Sequence, residues 1–322
     1  MINLNLISNK SIMVTGGAGF IGSEFVRNYS ASFKKMYIID SLTYAGDLKR
    51  IDNQLLKDNV EFIKSDIRDV TKYEKTLKDL DYIIHFAAES HVDRSINDGY
   101  PFVNSNVLGT YALLEAAREF SKIRTLMVST DEVYGSIPNG EVNEQAVLAP
   151  SSAYSASKAS ADLFAIAQFL THKQNIVISR CSNNYGAYQN EEKFIPTIIT
   201  SLLKKRSVPV YGKGKNIREW IHVSDHCAAL LELLTNARTG EIYNIGTGDR
   251  LSNLEILGLI AGFLNVKGDY YHYVEDRKGH DFRYSLNSEK ITSETGWKPK
   301  ILLENGLREL VLNYNQYKLE KK

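Results

Sequence analysis

The chain has 322 residues, enough for about two domains or one large α/β domain with an appendage. Lys and Arg number 39 against 38 Asp and Glu, a net charge of +1, which argues against a general nucleic-acid or membrane-surface binder. A 43% hydrophobic and 24% charged content excludes wholesale disorder, and two cysteines are too few for a disulfide framework or a four-thiolate zinc site.

The N-terminus shows no basic region followed by an apolar one, so no signal peptide is read. No stretch approaches the ~20 apolar residues of a membrane span. The expected compartment is the cytoplasm. Short apolar runs predict strands at 11–15, 36–39, 60–63 and 82–86. A helical pattern at 20–29 separates the first two, and long helices are predicted at 102–120 and 154–170. Further strands are predicted at 124–129 and 176–180. Apolar runs without alternation suit strands covered on both faces. Their spacing implies βαβ units, hence an α/β, doubly wound Rossmann-type parallel sheet.

After about residue 183 the rhythm loosens. Short strands are expected at 208–211, 220–223, 241–245 and 270–274, and helices at 194–203, 225–234, 253–263 and 303–314. The chain is therefore read as a cofactor domain, 1–182, and a smaller mixed α/β substrate-binding region, 183–322, with some segments returning to the first sheet. The tail after Tyr314 is expected to fray.

Gly16, Gly17, Gly19 and Gly22 follow the first strand and open a helix. Such a turn brings backbone close to a pyrophosphate, and the helix N-terminus offers it free N–H groups. Asp40 ends the second strand 18 residues past Gly22. A carboxylate there accepts from ribose hydroxyls and repels a 2′-phosphate, which favours NAD over NADP. The cofactor set also takes in Phe20, Ile21, Asp66, Ile67 and Ala87. Asp66 reads equally well as a turn cap. His85, within the fourth strand, reads as a core residue.

Tyr154 and Lys158 stand four apart on one helix face. An ammonium and a cationic nicotinamide would lower the phenol's pKa from ~10, so that it could take a sugar hydroxyl's proton. Asp131 and Glu132 end the strand before that helix, where α/β proteins bind ligands. With one carboxyl protonated and one ionised the pair can supply an acid and a base, and neighbouring like charges separate their pKa values.

The ordered segments TGGAGFIG, HFAAESHVDRSI, STDEVYG, YSASK and RCSNNYG resemble the extended short-chain dehydrogenase/reductase family acting on nucleotide sugars. STDEVYG at 129–135 is similar to the signature of its dTDP-glucose 4,6-dehydratase branch. The resemblance implies Asp131 as acid, Glu132 as base and Thr130 on the sugar 4-hydroxyl, beside Tyr154 and Lys158. It implies NAD as cofactor and a nucleotide sugar, dTDP-glucose before UDP-glucose, as substrate. A 4-epimerase or a decarboxylase of the same group is the alternative. It places Ser90 and His91 at the hexose and nicotinamide side, Asn183 at the diphosphate, and Asn244 and 276–281, with Arg277 and His280, at the nucleotide. The substrate's two negative charges need local cations, for which Lys193, Arg218 and Arg277 are the candidates, while Tyr211 borders or stacks on the base. Lys278 stands where the family usually has proline. No metal site is expected. The resemblance further implies a homodimer through helices around 103–120 and 154–170.

Overall fold

A computed structural model describes residues 4–317. Seven parallel strands form its main sheet: β1 (Ser11–Thr15), β2 (Lys35–Asp40), β3 (Val60–Lys64), β4 (Tyr82–His85), β5 (Arg124–Thr130), β6 (Ile176–Cys181) and, from later in the chain, a strand at Ile242–Ile245. All five residues of β1 are buried, as are all six of β6, because helices cover both faces of the sheet. One core cluster joins Ile12, Val14, Ile38, Ile84, Leu126 and Val177 to Phe25 and to Leu230, Leu233 and Leu234 of the helix Val223–Asn236.

The remaining strands are β7 (Asn183–Tyr185), β8 (Val208–Tyr211), β9 (Ile217–His222), β10 (Ile242–Ile245, the seventh strand of the main sheet), β11 (Arg250–Ser252) and β12 (Tyr271–Val274). The main sheet runs β3-β2-β1-β4-β5-β6-β10. The chain builds outward from β1 to β3, then crosses to β4 and builds the other way. That reversal leaves a crevice beyond the C-terminal ends of β1 and β4, the place where open α/β sheets bind ligands. Two small sheets, β11-β9-β7 and β12-β8, lie outside it. A separate core holds Ile195, Ile198, Trp220, Ile256, Leu257 and Leu307 together.

Several expectations are corrected. Residues 102–120 are not one regular helix. A short turn, Tyr100–Phe102, leads into a π-helical stretch, Val103–Leu108, and only then into the helix Gly109–Arg118. The π-turn carries the buried Asn106, whose amide accepts from Glu89 N–H at 2.8 Å and donates to Glu89 O at 2.9 Å and Ser157 Oγ at 2.8 Å. It thus supplies the backbone partners that residue 89 lacks after β4 ends. β9 begins at Ile217 rather than 220, and β7, β11 and the helix Glu289–Thr295 appear where none was predicted. The helix Leu303–Leu312 ends two residues early, and the next segment is a 3₁₀ turn, Tyr314–Tyr317, which takes in the first three residues of the tail expected to fray. The rest of the expected frayed tail, 318–322, lies outside the described residues. Among the described residues no helix is long and apolar enough to cross a membrane.

Candidate active site

A pocket opens over the crevice and runs from the glycine turn to Lys193. Gly16, Gly19, Phe20, Ile21, Gly22, Asp40, Asp66, Ile67 and Ala87 line one end. Gly16 sits at φ +70°, and a Cβ there would meet the Ala87 backbone nitrogen at 2.6 Å. A Cβ on Gly22 would lie 2.2 Å from Gly16 O. Both positions exclude any side chain because β1, β4 and the following helix converge there. Gly19 caps the helix Phe20–Tyr29 with no side-chain hydrogen bond, so the first N–H groups of that helix remain open to an anion.

Asp40 is buried at the end of β2, with Oδ2 accepting from Ala18 N–H at 2.9 Å and Oδ1 from Leu42 N–H at 2.8 Å. Burial raises its pKa against those two bonds and Arg50. A carboxylate keeps acceptor capacity beyond two bonds, which suits ribose hydroxyls. Asp66 accepts from Arg68 N–H at 2.9 Å and pairs with its guanidinium at 2.8 Å, so it caps its turn while lining the pocket. Glycines without room for a Cβ, an open helix terminus and a buried acid fit a dinucleotide. His85 is a satisfied core residue between Thr15 Oγ1, 2.7 Å, and Thr110 Oγ1, 3.0 Å. Its burial, with Lys158 nearby, drops its pKa to about 3.

Thr130, Asp131, Glu132, Tyr154 and Lys158 line the middle of the pocket. The acids occupy a single 3₁₀ turn, Asp131–Tyr134, that leaves β5. Ser152 and Ser155 form a reciprocal capping box, which starts the helix Ala153–His172 just before Tyr154. Lys158 follows one turn later and donates to Val128 O at 2.8 Å.

The two carboxyls have different surroundings. Asp131 is 3% exposed; Oδ1 accepts from Thr130 Oγ1 at 3.2 Å and Oδ2 has no partner among the described residues. Burial, then Glu132 and Glu219, push its pKa well above the ordinary carboxylate range. Glu132 is raised by burial too, but Arg277, Arg218 and Lys193 all pull it back. Asp131 is therefore the harder of the two to ionise and Glu132 the easier.

Burial, with Glu132, Cys181 and Asp131, pushes the Tyr154 pKa well above 10, and the Thr130 hydroxyl works the other way. Lys158 is itself desolvated, which lowers its pKa, and is held against the Val128 carbonyl.

Ser90, Asn183 and Lys193 line the far end of the pocket. Lys193 donates to Ser90 O at 2.7 Å, and Asn183 Oδ1 is buried without a partner among the described residues. His91 stands just outside, with Nε2 3.8 Å from Glu192. Tyr211, Arg218, Asn244, Arg277 and His280 do not line this pocket directly, but Arg218 and Arg277 lie near enough to act on Glu132. Tyr211, Arg277 and His280 form a neighbouring cluster: Asp93 is 3.5 Å from Arg277 and accepts from Tyr211 OH at 3.4 Å. His280 faces Tyr211 edge-on and pairs with Asp276 at 2.6 Å. Arg218 is 7% exposed, donates to Asp281 O at 2.9 Å and lies over the Tyr284 ring at 4.4 Å. Asn244 is fully buried, accepting from Tyr134 OH and donating to Val142 and Asn287 carbonyls. Lys278 is exposed.

Sequence reading missed Asn106, Asp93, Glu192 and Tyr44. Glu192 joins Arg94 at 3.0 Å, whose guanidinium stacks on Tyr44 at 3.8 Å. The adjacency of Glu192 to Lys193 was the available signal. Among the described residues no group of three or more His, Cys, Asp or Glu is placed to hold a metal ion.

Comparison with known proteins agrees with this geometry. Residues 13–310 match the family model described as GDP-mannose 4,6 dehydratase. A dTDP-glucose 4,6-dehydratase of Streptomyces niveus is 45% identical over 306 residues, 93% of this chain and 91% of that protein. The chain belongs to this 4,6-dehydratase family. Among solved structures similar to this 4,6-dehydratase family member is DesIV, the dTDP-glucose 4,6-dehydratase of Streptomyces venezuelae, with NAD and dTDP bound. It is 44% identical, with a TM-score of 0.93 over 95% of this chain and 97% of that one. The dTDP-glucose 4,6-dehydratase of Bacillus anthracis in complex with NAD is 41% identical, with a TM-score of 0.89 over 95% and 97% of the two chains.

Proposed function

We propose that this chain is an NAD-dependent dTDP-glucose 4,6-dehydratase, a hydro-lyase that makes dTDP-4-keto-6-deoxyglucose. The observation that carries the reading is the Asp131–Glu132 pair, one carboxyl buried among acids and the other flanked by cations, in one pocket with Tyr154 and Lys158. Gly16, Gly19, Gly22, Asp40 and Asp66 would hold NAD, which takes hydride from C4 of the hexose and returns it at C6, with no net redox change. Thr130 hydrogen-bonds the 4-hydroxyl, and Tyr154 removes its proton. It does so as a phenolate, which the Lys158 ammonium stabilises, and becomes the phenol. Glu132 removes the C5 proton, which the C4 carbonyl has made acidic. Asp131 protonates the departing C6 hydroxyl, and water leaves. Glu132 then returns its proton to C5. Asn183, Lys193, Arg218 and Arg277 offset the diphosphate charge, and Tyr211 borders the base.

Residues 1–182 act as the cofactor domain and 183–322 as the substrate region, with β10 returned to the first sheet. The enzyme works in the cytoplasm as a homodimer. Tyr111, Leu163 and Phe164 support the dimer: they expose 45%, 57% and 40% of their surface on the two helices. The test is incubation with dTDP-glucose and no added NAD. A product lighter by one water, formed faster than from UDP-glucose, is expected; a product of unchanged mass would reject dehydration.

A further inference from the structure

Behind Tyr154 and Lys158 lies a buried charge cluster that the mechanism does not use. Asp162 follows Lys158 by one helical turn, so both side chains share a face. Asp162 is 1% exposed and Lys158 5%. Asp162 Oδ2 accepts from Arg180 Nε at 2.9 Å. Arg180, in β6 and 2% exposed, donates from Nη1 to Tyr134 OH at 2.9 Å and stacks over that ring at 4.8 Å. Tyr134 OH donates to Asn244 Oδ1 at 2.8 Å, and Asn244 N–H donates to Glu144 at 2.9 Å. The carboxylate is thus held from β6 by Arg180, which the turn after β5 and β10 hold in turn through Tyr134 and Asn244. Its other oxygen, Oδ1, has no hydrogen-bond partner among the described residues, and the Ser129 hydroxyl lies beside it.

A buried ion pair is weak evidence for stability, since apolar replacements often do as well. This one has a second cation to serve. The Lys158 ammonium has three protons to place, and the hydrogen bond it makes is to Val128 O. The titratable groups around it are Tyr154 and Asp162 on its own helix, Cys181 on β6 and His85 on β4. Burial holds the Cys181 thiol protonated, with its pKa pushed to about 12, and His85 neutral, at about 3. Asp162 is the carboxyl among them: burial raises its pKa, and the Arg180 and Lys158 charges pull it back. Burial lowers the Lys158 pKa, and Asp162 is the first group opposing that drop.

We propose that Asp162 is a positioning residue for the reaction: held by Arg180, it keeps the buried Lys158 charged and, through it, Tyr154 able to act as the phenolate base. The inference rests on the roles given to Tyr154 and Lys158 above, but its test does not depend on turnover. Lysine Nζ is labelled with ¹⁵N in the purified enzyme, and the Lys158 signal is identified by its loss in Lys158→Met. In Asp162→Asn the Lys158 midpoint is expected to fall by about 1–3 pH units, the range for losing an opposite charge nearby. Asp162→Glu, which keeps the charge, is expected to titrate near wild type. The alkaline limb of turnover should move down with the Lys158 midpoint. An unmoved midpoint in folded Asp162→Asn would overturn the proposal, as would an equal fall in Asp162→Glu. Where Asp162→Asn does not fold, the double variant Asp162→Asn with Arg180→Met removes both buried charges. A fall in its midpoint supports the proposal, and no change overturns it. A wild-type enzyme that lacks dehydratase turnover while Lys158 shifts as described separates failure of the functional reading from failure of this one.

Discussion

Replacing Asp131 by Asn separates its chemistry from its packing. The substitution keeps the volume and leaves an oxygen for the Thr130 hydroxyl, which now donates to Asp131 Oδ1 at 3.2 Å. It removes the proton meant for the C6 hydroxyl. A positioned general acid contributes about 10²–10⁴-fold, so turnover of dTDP-glucose should fall by that factor, about 3–5 kcal/mol of barrier. The folded protein should gain stability. Burial and the Glu132 charge raise the Asp131 pKa, so folding takes up a proton on this group. Its contribution is then most favourable below the unfolded carboxylate value of ~3.9 and is lost as pH rises towards the folded one. At neutral pH Asp131→Asn escapes that loss and should melt higher than wild type, whereas near pH ~3 the two should converge. Product formation with dTDP-glucose and thermal melts across pH measure both effects. A variant that keeps full turnover, or that melts lower than wild type at neutral pH, would refute the assignment of Asp131 as a buried, protonated acid.

Gly22→Ala forces a Cβ to within 2.2 Å of Gly16 O, where only backbone could yield. Overpacking of about 1–3 kcal/mol is expected, and retention of NAD should weaken by about 5- to 150-fold, read from NAD content after purification. Arg277→Met removes the leading charge that holds the Glu132 pKa down. The acid limb of the pH–rate profile should move to higher pH and KM should rise; an unmoved limb would count against Glu132 as base. Phe164→Glu places a charge on the apolar surface shared with Tyr111, whose ring centroid is 5.7 Å away, and should convert dimer to monomer by light scattering.

Much of this molecule was legible along the chain because the signals are local. The apolar runs of β1 to β6 mark strands buried on both faces. The glycine turn, Asp40, the acid pair and the Tyr154–Lys158 spacing are each confined to a few residues or one βα unit. What escaped depends on distant partners. β7 and β11 are three-residue strands with no apolar run, held only by pairing to β9. The π-turn at Asn106 exists because residue 89 needs a partner, which nothing near 106 announces. That Glu132 is the easier of the two acids to ionise depends on Arg218, Arg277 and Lys193, which arrive from the second half of the chain. Tyr154 is a further case: its expected lowering calls on the ammonium and a cationic nicotinamide together, and in the chain alone burial and neighbouring acids raise its pKa.

The central claim is that the hydrogen leaving C4 returns within the same site to C6 after water is lost. Its most direct test is conversion of dTDP-glucose carrying deuterium at C4, with the product examined by mass spectrometry and NMR. The account predicts a 4-keto-6-deoxy product with deuterium at C6. Deuterium retained at C4 of an unchanged-mass epimer, or lost to solvent, would contradict it.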